Sequence, residues 1–358
     1  MSDLGVVAIG RNEGERLARC LRSVLPAGVP VVYVDSGSVD GSVALARGLG
    51  VEVVELDPAR PFAAGRARNE GFERLLARRP GLGYVMFVDG DCEVVPGWID
   101  RARAELEGRP ELAVVCGRRR EVDPGRSVFN RLADLEWDTP VGPALACGGD
   151  ALMRAADFRA AGGFDSSAKA GEEPELCQRL RRAGRGIARI DAEMTRHDLG
   201  MTRFAQWWRR QLRVGYHGLD IERRFPPTPD PDGTVPPSLF GASLRRARLW
   251  GIGWPCLVLG GMAAAGWWGG PVAALAVLAL GCAVLAAQAA RLAWGIRRRV
   301  ARPGDALAHG VLMVAEKWAN LAGQAQYLRD RRRGGEGRLI EYKLAERPDP
   351  AAPPLGAG

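Results

Sequence analysis

The chain has 358 residues, of which 47% are hydrophobic and 26% charged, and this composition excludes a collagen-like fibre or a disordered tail. Its seven cysteines include no C-x-x-C pair, so neither a zinc ribbon nor a disulfide framework is expected, and the thiols are predicted to be buried in a reducing compartment. The net charge of +8 suits nucleic acid, a membrane surface or an anionic small molecule. Because no nucleic-acid-binding module accompanies it, nucleic acid is not an expected partner. The first residues lack the basic and apolar segments of a signal peptide, so the N-terminal part is expected to stay in the cytoplasm.

Residues 1–200 alternate short β runs with helical patterns, which predicts an α/β fold with a parallel sheet. Strands are predicted at Val6–Ile9, Val31–Val34, Val51–Leu56 and Tyr84–Val88, and helices from Asn12-Glu13 onward and over Ala63–Ala77. Ligands of open α/β sheets bind at the carboxyl ends of the strands. The loops Gly10–Glu13, Asp35–Gly41 and Asp89–Asp91 are therefore expected to meet in one crevice.

The loop after the second predicted strand combines acidic, serine and glycine residues. Its glycines allow close backbone approach, and Asp40 or Ser42 can cap the next helix. Asp35 can accept hydrogen bonds from a nucleotide base or a ribose. The alternative interpretation is a plain turn with a capping aspartate.

Two carboxylates, Asp89 and Asp91, follow the fourth predicted strand. They are hard oxygen ligands of the kind that Mg²⁺ or Mn²⁺ takes when the ion also holds substrate phosphates. A lone D-x-D is usually a turn, and its place directly after an apolar strand favours the metal site. Arg66 and Arg68, in the preceding helix, can bind a phosphate, or are surface arginines in an arginine-rich chain.

Three carboxylates crowd the predicted start of another helix, where Glu172, Glu173 and Glu175 surround Pro174. An acidic helix N-terminus complements the helix dipole, which is one interpretation of this cluster. The other is a general base, a carboxylate that deprotonates a hydroxyl.

A run of 42 residues between Arg248 and Arg291 contains no charged side chain. A membrane-spanning helix needs about 20 apolar residues, so two spans are predicted, near Leu249–Trp268 and Pro271–Arg291. Arginines flank the outer ends and none lies in the turn between the spans, which places both flanks in the cytoplasm. The alternative is a helical hairpin buried in a soluble core.

Apolar residues at helical spacing follow the hairpin: Leu307, Val311, Val314, Trp318, Leu321, Ala325 and Leu328. Glu316 and Lys317 interrupt any further span, so an amphipathic helix is predicted, either at the membrane interface or packed against the catalytic domain. The basic cluster from Arg329 to Arg338 can bind anionic lipid headgroups. The alternative is a run of charges that is exposed to solvent. A disordered tail is predicted at 346–358.

Taken in chain order, six motifs resemble those of the inverting family 2 glycosyltransferases with the GT-A fold. They are the loops 8–13 and 35–42, the segment 67–71, the D-x-D at 89–91, the region 147–150 with 162–165, and the segment 172–180. The resemblance covers roughly Leu4–Gly215. It implies a nucleotide-sugar-binding α/β fold with a Rossmann-like, mostly parallel sheet, and the membrane-anchored C-terminus is similar to that of bacterial members that build surface polysaccharides.

The resemblance also implies roles for individual residues. The nucleotide sugar would be bound by Asn12, Glu13, Asp35, Ser36, Arg66, Arg68 and Asp89. Mg²⁺ or Mn²⁺ would be held by Asp89 and Asp91, and His197 either completes the metal site or is a histidine at the surface or core edge. Glu173 aligns where the family usually has aspartate and would be the base, while this departure keeps Glu172 and Glu175 as alternatives.

Acceptor-side residues are implied in two places. The first is the segment Gly148, Gly149 and Asp150. The second is Gln206, Trp207, Arg209 and Arg210, which resembles the Gln-x-x-Arg-Trp motif of processive synthases except that Arg210 stands where tryptophan is expected. This departure and the presence of only two predicted spans favour a non-processive enzyme. An interfacial helix lying on the membrane is the alternative for the tryptophans.

The predicted organisation is a glycosyltransferase domain (1–220), a linker and juxtamembrane segment (221–248), a transmembrane hairpin (249–296), a cytoplasmic amphipathic and basic segment (297–345) and the tail. The predicted reaction is metal-dependent, inverting, hexosyltransferase-like transfer from a nucleotide diphosphate sugar to a hydroxyl of a saccharide acceptor, linked to a lipid, in surface polysaccharide synthesis. The expected place is the cytoplasmic face of a bacterial inner membrane, with membrane lipids as further partners. The alternatives are a polyprenyl-phosphate sugar transferase and a non-catalytic nucleotide-sugar-binding scaffold.

Overall fold

The computed structural model describes residues 3–334 and contains a nine-stranded sheet followed by a helical C-terminal part. The strands are β1 (Leu4–Gly10), β2 (Val31–Asp35), β3 (Glu52–Glu55), β4 (Tyr84–Asp89), β5 (Cys92–Val94), β6 (Leu112–Glu121), β7 (Gly142–Pro143), β8 (Ala151–Arg154) and β9 (Gly186–His197). The helices are α1 (Glu15–Val24), α2 (Ser42–Gly48), α3 (Ala64–Arg78), α4 (Trp98–Gly108), α5 (Val128–Trp137), α6 (Ala155–Ala160), α7 (Glu172–Arg182), α8 (Phe204–Arg224), α9 (Gly241–Arg248), α10 (Trp254–Ile296) and α11 (Pro303–Arg332).

The sheet has the order β3-β2-β1-β4-β8-β6-β9-β5, with β7 on β9. Strands β1 to β4 pair in parallel, as expected, and the α/β fold class is confirmed. The other half of the sheet is mixed, because β8 lies antiparallel between β4 and β6 and β5 lies antiparallel to β9. The carboxyl ends of β1, β2 and β4 therefore share one edge, and the end of β9 is brought beside the turn that follows β4.

The predicted core face of α1 packs against the sheet. Leu17, Leu21 and Val24 are fully buried, as is Cys20 between them, which is the i, i+3, i+4, i+7 pattern of a helix with one apolar face. The helix begins at Glu15 rather than at Asn12, a correction to the sequence-based prediction. The reason is the backbone before it, because Asn12 and Gly14 both have positive φ angles (56° and 50°).

The C-terminal part contains a long apolar helical segment. Helix α9 continues through a π-helical turn (Leu249–Gly253) into α10, and the segment Gly241–Ile296 is the one candidate membrane span among residues 3–334, by length and composition. It reverses direction at Gly270, which has φ 76° and ψ −175° and precedes Pro271. A glycine adopts this backbone without the steric cost of a Cβ.

The two arms of α10 run antiparallel against each other. A Cβ on Gly281 would lie 2.7 Å from a methyl group of Val258, and one on Gly261 would lie 3.2 Å from Val277. In a straight helix, Val258 and Gly281 would be about 34 Å apart. Most apolar side chains of the hairpin are exposed, including Trp267 (83%) and Trp268 (86%) near its tip. A hairpin buried in a soluble core, the alternative considered from the sequence, is not what this structure contains.

Helix α11 lies between the N-terminal α/β domain and the hairpin. A Cβ on Gly215 of α8 would lie 2.0 Å from the carbonyl oxygen of Asn320, and one on Gly310 of α11 would lie 2.1 Å from the carbonyl oxygen of Ala289 in α10. Glycine at these crossings lets the helices approach closely. Of the two alternatives for this segment, packing against the catalytic domain is observed, although Leu307 stays exposed. The predicted tail at 346–358 and residues 335–345 lie outside the described residues.

Candidate active site

The loop after β2 is organised around the buried carboxylate of Asp35. Its Oδ1 accepts hydrogen bonds from the hydroxyls of Tyr33 (2.8 Å) and Ser38 (2.5 Å). Its Oδ2 accepts from the backbone N–H groups of Gly37 (2.9 Å) and Ser38 (2.7 Å). These bonds shape the backbone of the loop, so a base or ribose that meets Asp35 meets an already ordered carboxylate.

Residues predicted to bind the nucleotide join the first loop to the second. Asn12 accepts a hydrogen bond from the backbone N–H of Val39 (2.8 Å), and the backbone N–H of Ser36 donates to Gly10 (3.0 Å). Glu13 pairs with Arg16 one turn along the chain (2.8 Å). The structure therefore brings Asn12, Glu13, Asp35 and Ser36 to the same edge of the sheet, as expected from the strand order.

The two carboxylates of the D-x-D have different surroundings. Asp91 lies in the turn between β4 and β5, and because β5 pairs with the end of β9, the Nε2 atom of His197 lies 3.0 Å from its Oδ2. Asp89 instead receives the guanidinium of Arg68 at 2.7 Å and lies 3.6 Å from that of Arg119.

Asp91 and His197 are the best-placed metal ligands in the described residues. They belong to a group, with Cys92, whose potential ligand atoms all lie within 4.8 Å of one another; Asp89 belongs to a second group with Cys92 and Asp150. Burial, and then the nearby carboxylates, raise the pKa of the Cys92 thiol, which disfavours the thiolate. A carboxylate and an imidazole that leave other positions to phosphates and water fit Mn²⁺ or Mg²⁺.

Arg68 connects Asp89, at the end of β4, to the start of α7. Its side chain is 2% exposed, and it donates to Asp89 (2.7 Å) and to Glu172 (2.7 Å), while Glu173 lies 3.9 Å away. The sequence suggested a phosphate ligand or a surface arginine. The structure shows a buried arginine that holds three carboxylates in place.

Arg66 is buried as well and is held by the segment before its own helix. It pairs with Glu70 at 2.7 Å and donates to the carbonyl oxygens of Asp57 (3.1 Å) and Arg60 (2.9 Å). These contacts fix the segment that leads into α3. A role in phosphate binding stays a prediction for both arginines.

The three glutamates at the start of α7 are distinguished by their partners. Glu172 (6% exposed) is paired with Arg68, and Glu175 (12% exposed) forms a two-pronged ion pair with Arg179 at 2.5 and 2.6 Å. Glu173 is the most accessible at 18%, and its ion pair with Arg68 is long, at 3.9 Å. Burial, followed by repulsion from Glu172, raises the pKa of Glu173 to about 7 against the opposing effect of Arg68.

The loop Gly148–Asp150, which was predicted to lie on the acceptor side, packs directly on Asp89 at the end of β4. A Cβ on Gly149 would lie 2.6 Å from the Oδ2 of Asp89, so only glycine allows this approach, and Gly148 has φ 81°. Asp150 is fully buried and accepts from the backbone N–H of Asp89 (3.0 Å). Its contacts identify it as a support of the β4 end.

Arg119 and Thr195 are functional candidates that the sequence did not reveal. Arg119 (2.7 Å) and the hydroxyl of Thr195 (2.7 Å) both donate to Asp150. Burial alone would raise the pKa of Asp150, but Arg119 and these hydrogen bonds outweigh it and lower the pKa. The alternation of a strand could have singled out Arg119, because its neighbours Arg118 and Arg120 point to the opposite face.

The residues of the predicted Gln-x-x-Arg segment anchor the start of α8. Gln206 accepts from the backbone N–H groups of Thr202 and Arg203, both at 3.0 Å. Trp207 is buried in a cluster with Leu312 of α11. Arg210 forms two hydrogen bonds with Glu136 of α5 (2.8 and 2.9 Å), and Arg209 is exposed. Contact of these residues with an acceptor stays a prediction.

Comparison with known proteins agrees with this geometry. Residues 6–144 match the family described as glycosyl transferase family 2. A pre-mycofactocin glycosyltransferase of Mycobacterium tuberculosis is 26% identical over 265 residues, which are 70% of this chain and 53% of that protein. A TPR repeat-containing protein of Synechococcus elongatus is 29% identical over 140 residues, 39% of this chain and 33% of that one. The chain thus spans about half the length of the first curated relative.

A solved structure shares the fold over most of the chain. It is the mannosyltransferase PcManGT from Pyrobaculum calidifontis, in complex with GDP-Man and Mn²⁺, with a TM-score of 0.56 and 18% identity over 92% of this chain and 88% of that one. The sheet topology agrees with this likeness, and the chain therefore has the GT-A fold, with residues 6–144 similar to glycosyl transferase family 2.

Proposed function

We propose that this protein is a metal-dependent, inverting glycosyltransferase that moves one sugar from a nucleotide diphosphate sugar to a hydroxyl of an acceptor. The observation that carries the proposal is the position of Glu173. It lies at the start of α7, is the glutamate of the cluster least engaged by arginine, has a pKa near 7, and is linked through Arg68 to Asp89. A carboxylate with this pKa is half deprotonated near neutral pH and suits a general base.

In the proposed reaction, Glu173 accepts the proton of the acceptor hydroxyl. The hydroxyl oxygen forms a bond to the anomeric carbon as the bond from that carbon to the diphosphate oxygen breaks, and the nucleoside diphosphate leaves with the electron pair. Asp35, Asn12 and the loops around them hold the nucleotide. A divalent ion bound by Asp91 and His197, with Asp89 nearby, would supply positive charge to the leaving diphosphate.

The donor is expected to carry UDP or GDP. The structural neighbour binds GDP-Man with Mn²⁺, and we propose the same class of donor and metal here. The experiment is a panel of nucleotide sugars in thermal unfolding, with and without Mn²⁺. A donor present at a hundred times its dissociation constant should stabilise the protein by about 2.7 kcal/mol, and a panel without any metal-dependent stabilisation would contradict the proposal.

We further propose that the hairpin of α10 anchors the catalytic domain at the cytoplasmic face of a bacterial inner membrane. Two apolar arms with exposed side chains, and arginines such as Arg248 and Arg297 at their outer ends, support this arrangement. The acceptor is then a saccharide linked to a lipid, in surface polysaccharide synthesis. Product analysis with a lipid-linked saccharide and with polyprenyl phosphate separates this function from sugar transfer to the phosphate itself.

A further inference from the structure

The imidazole of His217 is a buried polar group that the proposed reaction does not use. Its side chain belongs to α8, the residue is 4% exposed, and within residues 3–334 neither ring nitrogen has a hydrogen-bond partner. Buried polar side chains of native proteins are almost always hydrogen-bonded, and an exception calls for an explanation such as an unseen ligand.

Helix α8 follows the end of β9 in the chain and reaches the loop that precedes α7. It starts seven residues after His197, the partner of Asp91, and its last turns reach the loop that precedes Glu173. There a Cβ on Gly171 would lie 2.4 Å from Ile221, and Arg224 donates to Asp165 (3.0 Å). His217 is one turn before Ile221, on the same face of the helix. It therefore lies one turn from the contact of α8 with the loop before α7.

The opposite face of α8 is fully used by helix packing. Gly215 contacts Asn320, and the ring of Tyr216 lies against that of Tyr327 (5.5 Å between centroids). Contacts with α11 thus fix the rotation of α8. By helix geometry, the Cα–Cβ bond of His217 points away from the side of the helix on which Gly215 lies, and its ring lies 5.1 Å from that of Tyr216 between centroids.

Two cations, from two different elements, act on the imidazole through their charges. Arg213 is one turn earlier on the same face of α8, and Lys169 comes from the loop before α7, four residues ahead of the base candidate Glu173. Burial first, and then the charges of Arg213 and Lys169, lower the pKa of His217 to about 4. At neutral pH the ring is uncharged, with one nitrogen that donates and one that accepts.

We propose that Lys169, Arg213 and His217 form a subsite for a phosphate group of the acceptor, beside the hydroxyl that Glu173 deprotonates. Two cations and a hydrogen-bond donor are the chemistry that recognises a phosphate. This inference rests on the proposed function, since it names the class of acceptor for the same site. The phosphate belongs either to a lipid headgroup or to a soluble phosphorylated acceptor.

The test measures binding by the full-length protein in neutral detergent, with chelator present so that metal-dependent donor binding is absent. The probes are geranyl phosphate, its neutral alcohol geraniol, and inorganic phosphate. The variants are His217→Phe, Arg213→Met and Lys169→Met. Arg182→Met is the matched control, because it removes an exposed arginine at the far end of α7.

We expect geranyl phosphate to bind more tightly than geraniol. Each of the three subsite variants should weaken it by ~10–100-fold, the effect of losing one charge-assisted hydrogen bond, and the Arg182→Met control should not. Much weaker binding of inorganic phosphate than of geranyl phosphate identifies a lipid headgroup, and equal binding identifies a soluble phosphorylated acceptor. Equal affinity for geranyl phosphate and geraniol, or unchanged affinity in all three variants, overturns the subsite.

Donor binding in the same preparations keeps the two proposals separate. With Mn²⁺ restored, each variant should bind the nucleotide sugar as the unmodified protein does, which also shows that the variant is folded. If the unmodified protein binds no nucleotide sugar, the proposed function fails, and the phosphate titration still decides the subsite.

Discussion

The buried guanidinium of Arg68 pairs with the partly exposed carboxylate of Asp89 at 2.7 Å, and its other amino group donates to the buried Glu172 at 2.7 Å. One side chain thus connects the end of β4 to the start of α7, and Arg68 itself is 104 residues from Glu172 in the sequence. The base candidate Glu173 is next in the chain. The positions of Asp89 and of the candidate base Glu173 therefore depend on one arginine.

Replacing Arg68 by methionine should destabilise the protein strongly. The change leaves buried carboxylates without their cation, which typically costs ~3–5 kcal/mol. Arg74→Met is the control, because Arg74 lies on the same helix but is exposed, and an exposed pair contributes at most about 1 kcal/mol. Thermal unfolding of both variants in the same detergent gives the comparison, and equal stability of the two would contradict the connecting role.

Asp91→Ala should abolish sugar transfer and weaken metal-dependent nucleotide binding. Asp91 supplies the carboxylate next to His197. Without it, a divalent ion at this position loses its oxygen ligand and is left with the imidazole. Calorimetric titration with Mn²⁺ measures the loss directly. Full activity of this variant, or of the unmodified protein in excess chelator, would remove the metal from the proposed reaction.

Glu173→Gln should lower turnover by ~10²–10⁴-fold, the usual contribution of a general base. The amide keeps the size of the side chain but cannot accept the proton. Donor binding should stay nearly unchanged, because the base contacts the acceptor. A collapse of turnover in Glu172→Gln or Glu175→Gln instead, with Glu173→Gln near normal, would move the role to that neighbour.

The pKa of about 7 for Glu173 predicts a pH dependence of turnover. Only the deprotonated carboxylate accepts a proton, so kcat should rise with pH up to about 7 and level off above it. Below that pH it should fall about tenfold per unit. Initial rates between pH 5 and 9 at saturating donor and acceptor measure this pH profile. If the fall of kcat below about pH 7 persists in Glu173→Gln, the titrating group is another residue.

The hairpin predicts a defined topology in the membrane. A reporter fused after Arg302 should behave as cytoplasmic and one inserted at Gly269-Gly270 as external, since the arginines flank the outer ends of the two arms. Accessibility of both reporters in intact cells is the measurement. Release of the protein from membranes by high salt alone would show a peripheral attachment and overturn the two spans.

Local sequence patterns were sufficient for most of the fold. Apolar patterns located β1, β2, β4 and the buried face of α1, because the burial of one helix face or of a whole strand depends on neighbouring residues. The order of the motifs predicted a resemblance to family 2 glycosyltransferases, and residues 6–144 match that family. The mixed half of the sheet was not foreseen, because the pairing direction of β8 and β5 depends on distant strands.

What only the tertiary structure decided is which side chains meet. From the sequence, Arg68 was a phosphate ligand or a surface residue, and the choice of Glu173 over Glu172 and Glu175 depended on the resemblance alone. The folded chain buries Arg68 against Asp89 and Glu172 and leaves Glu173 the most accessible of the three. Likewise, His197 reaches Asp91, 106 residues earlier, through the pairing of β5 with β9. Ion pairs and ligand sets depend on distances in space between residues far apart in the chain, and no local pattern in an arginine-rich sequence encodes those distances.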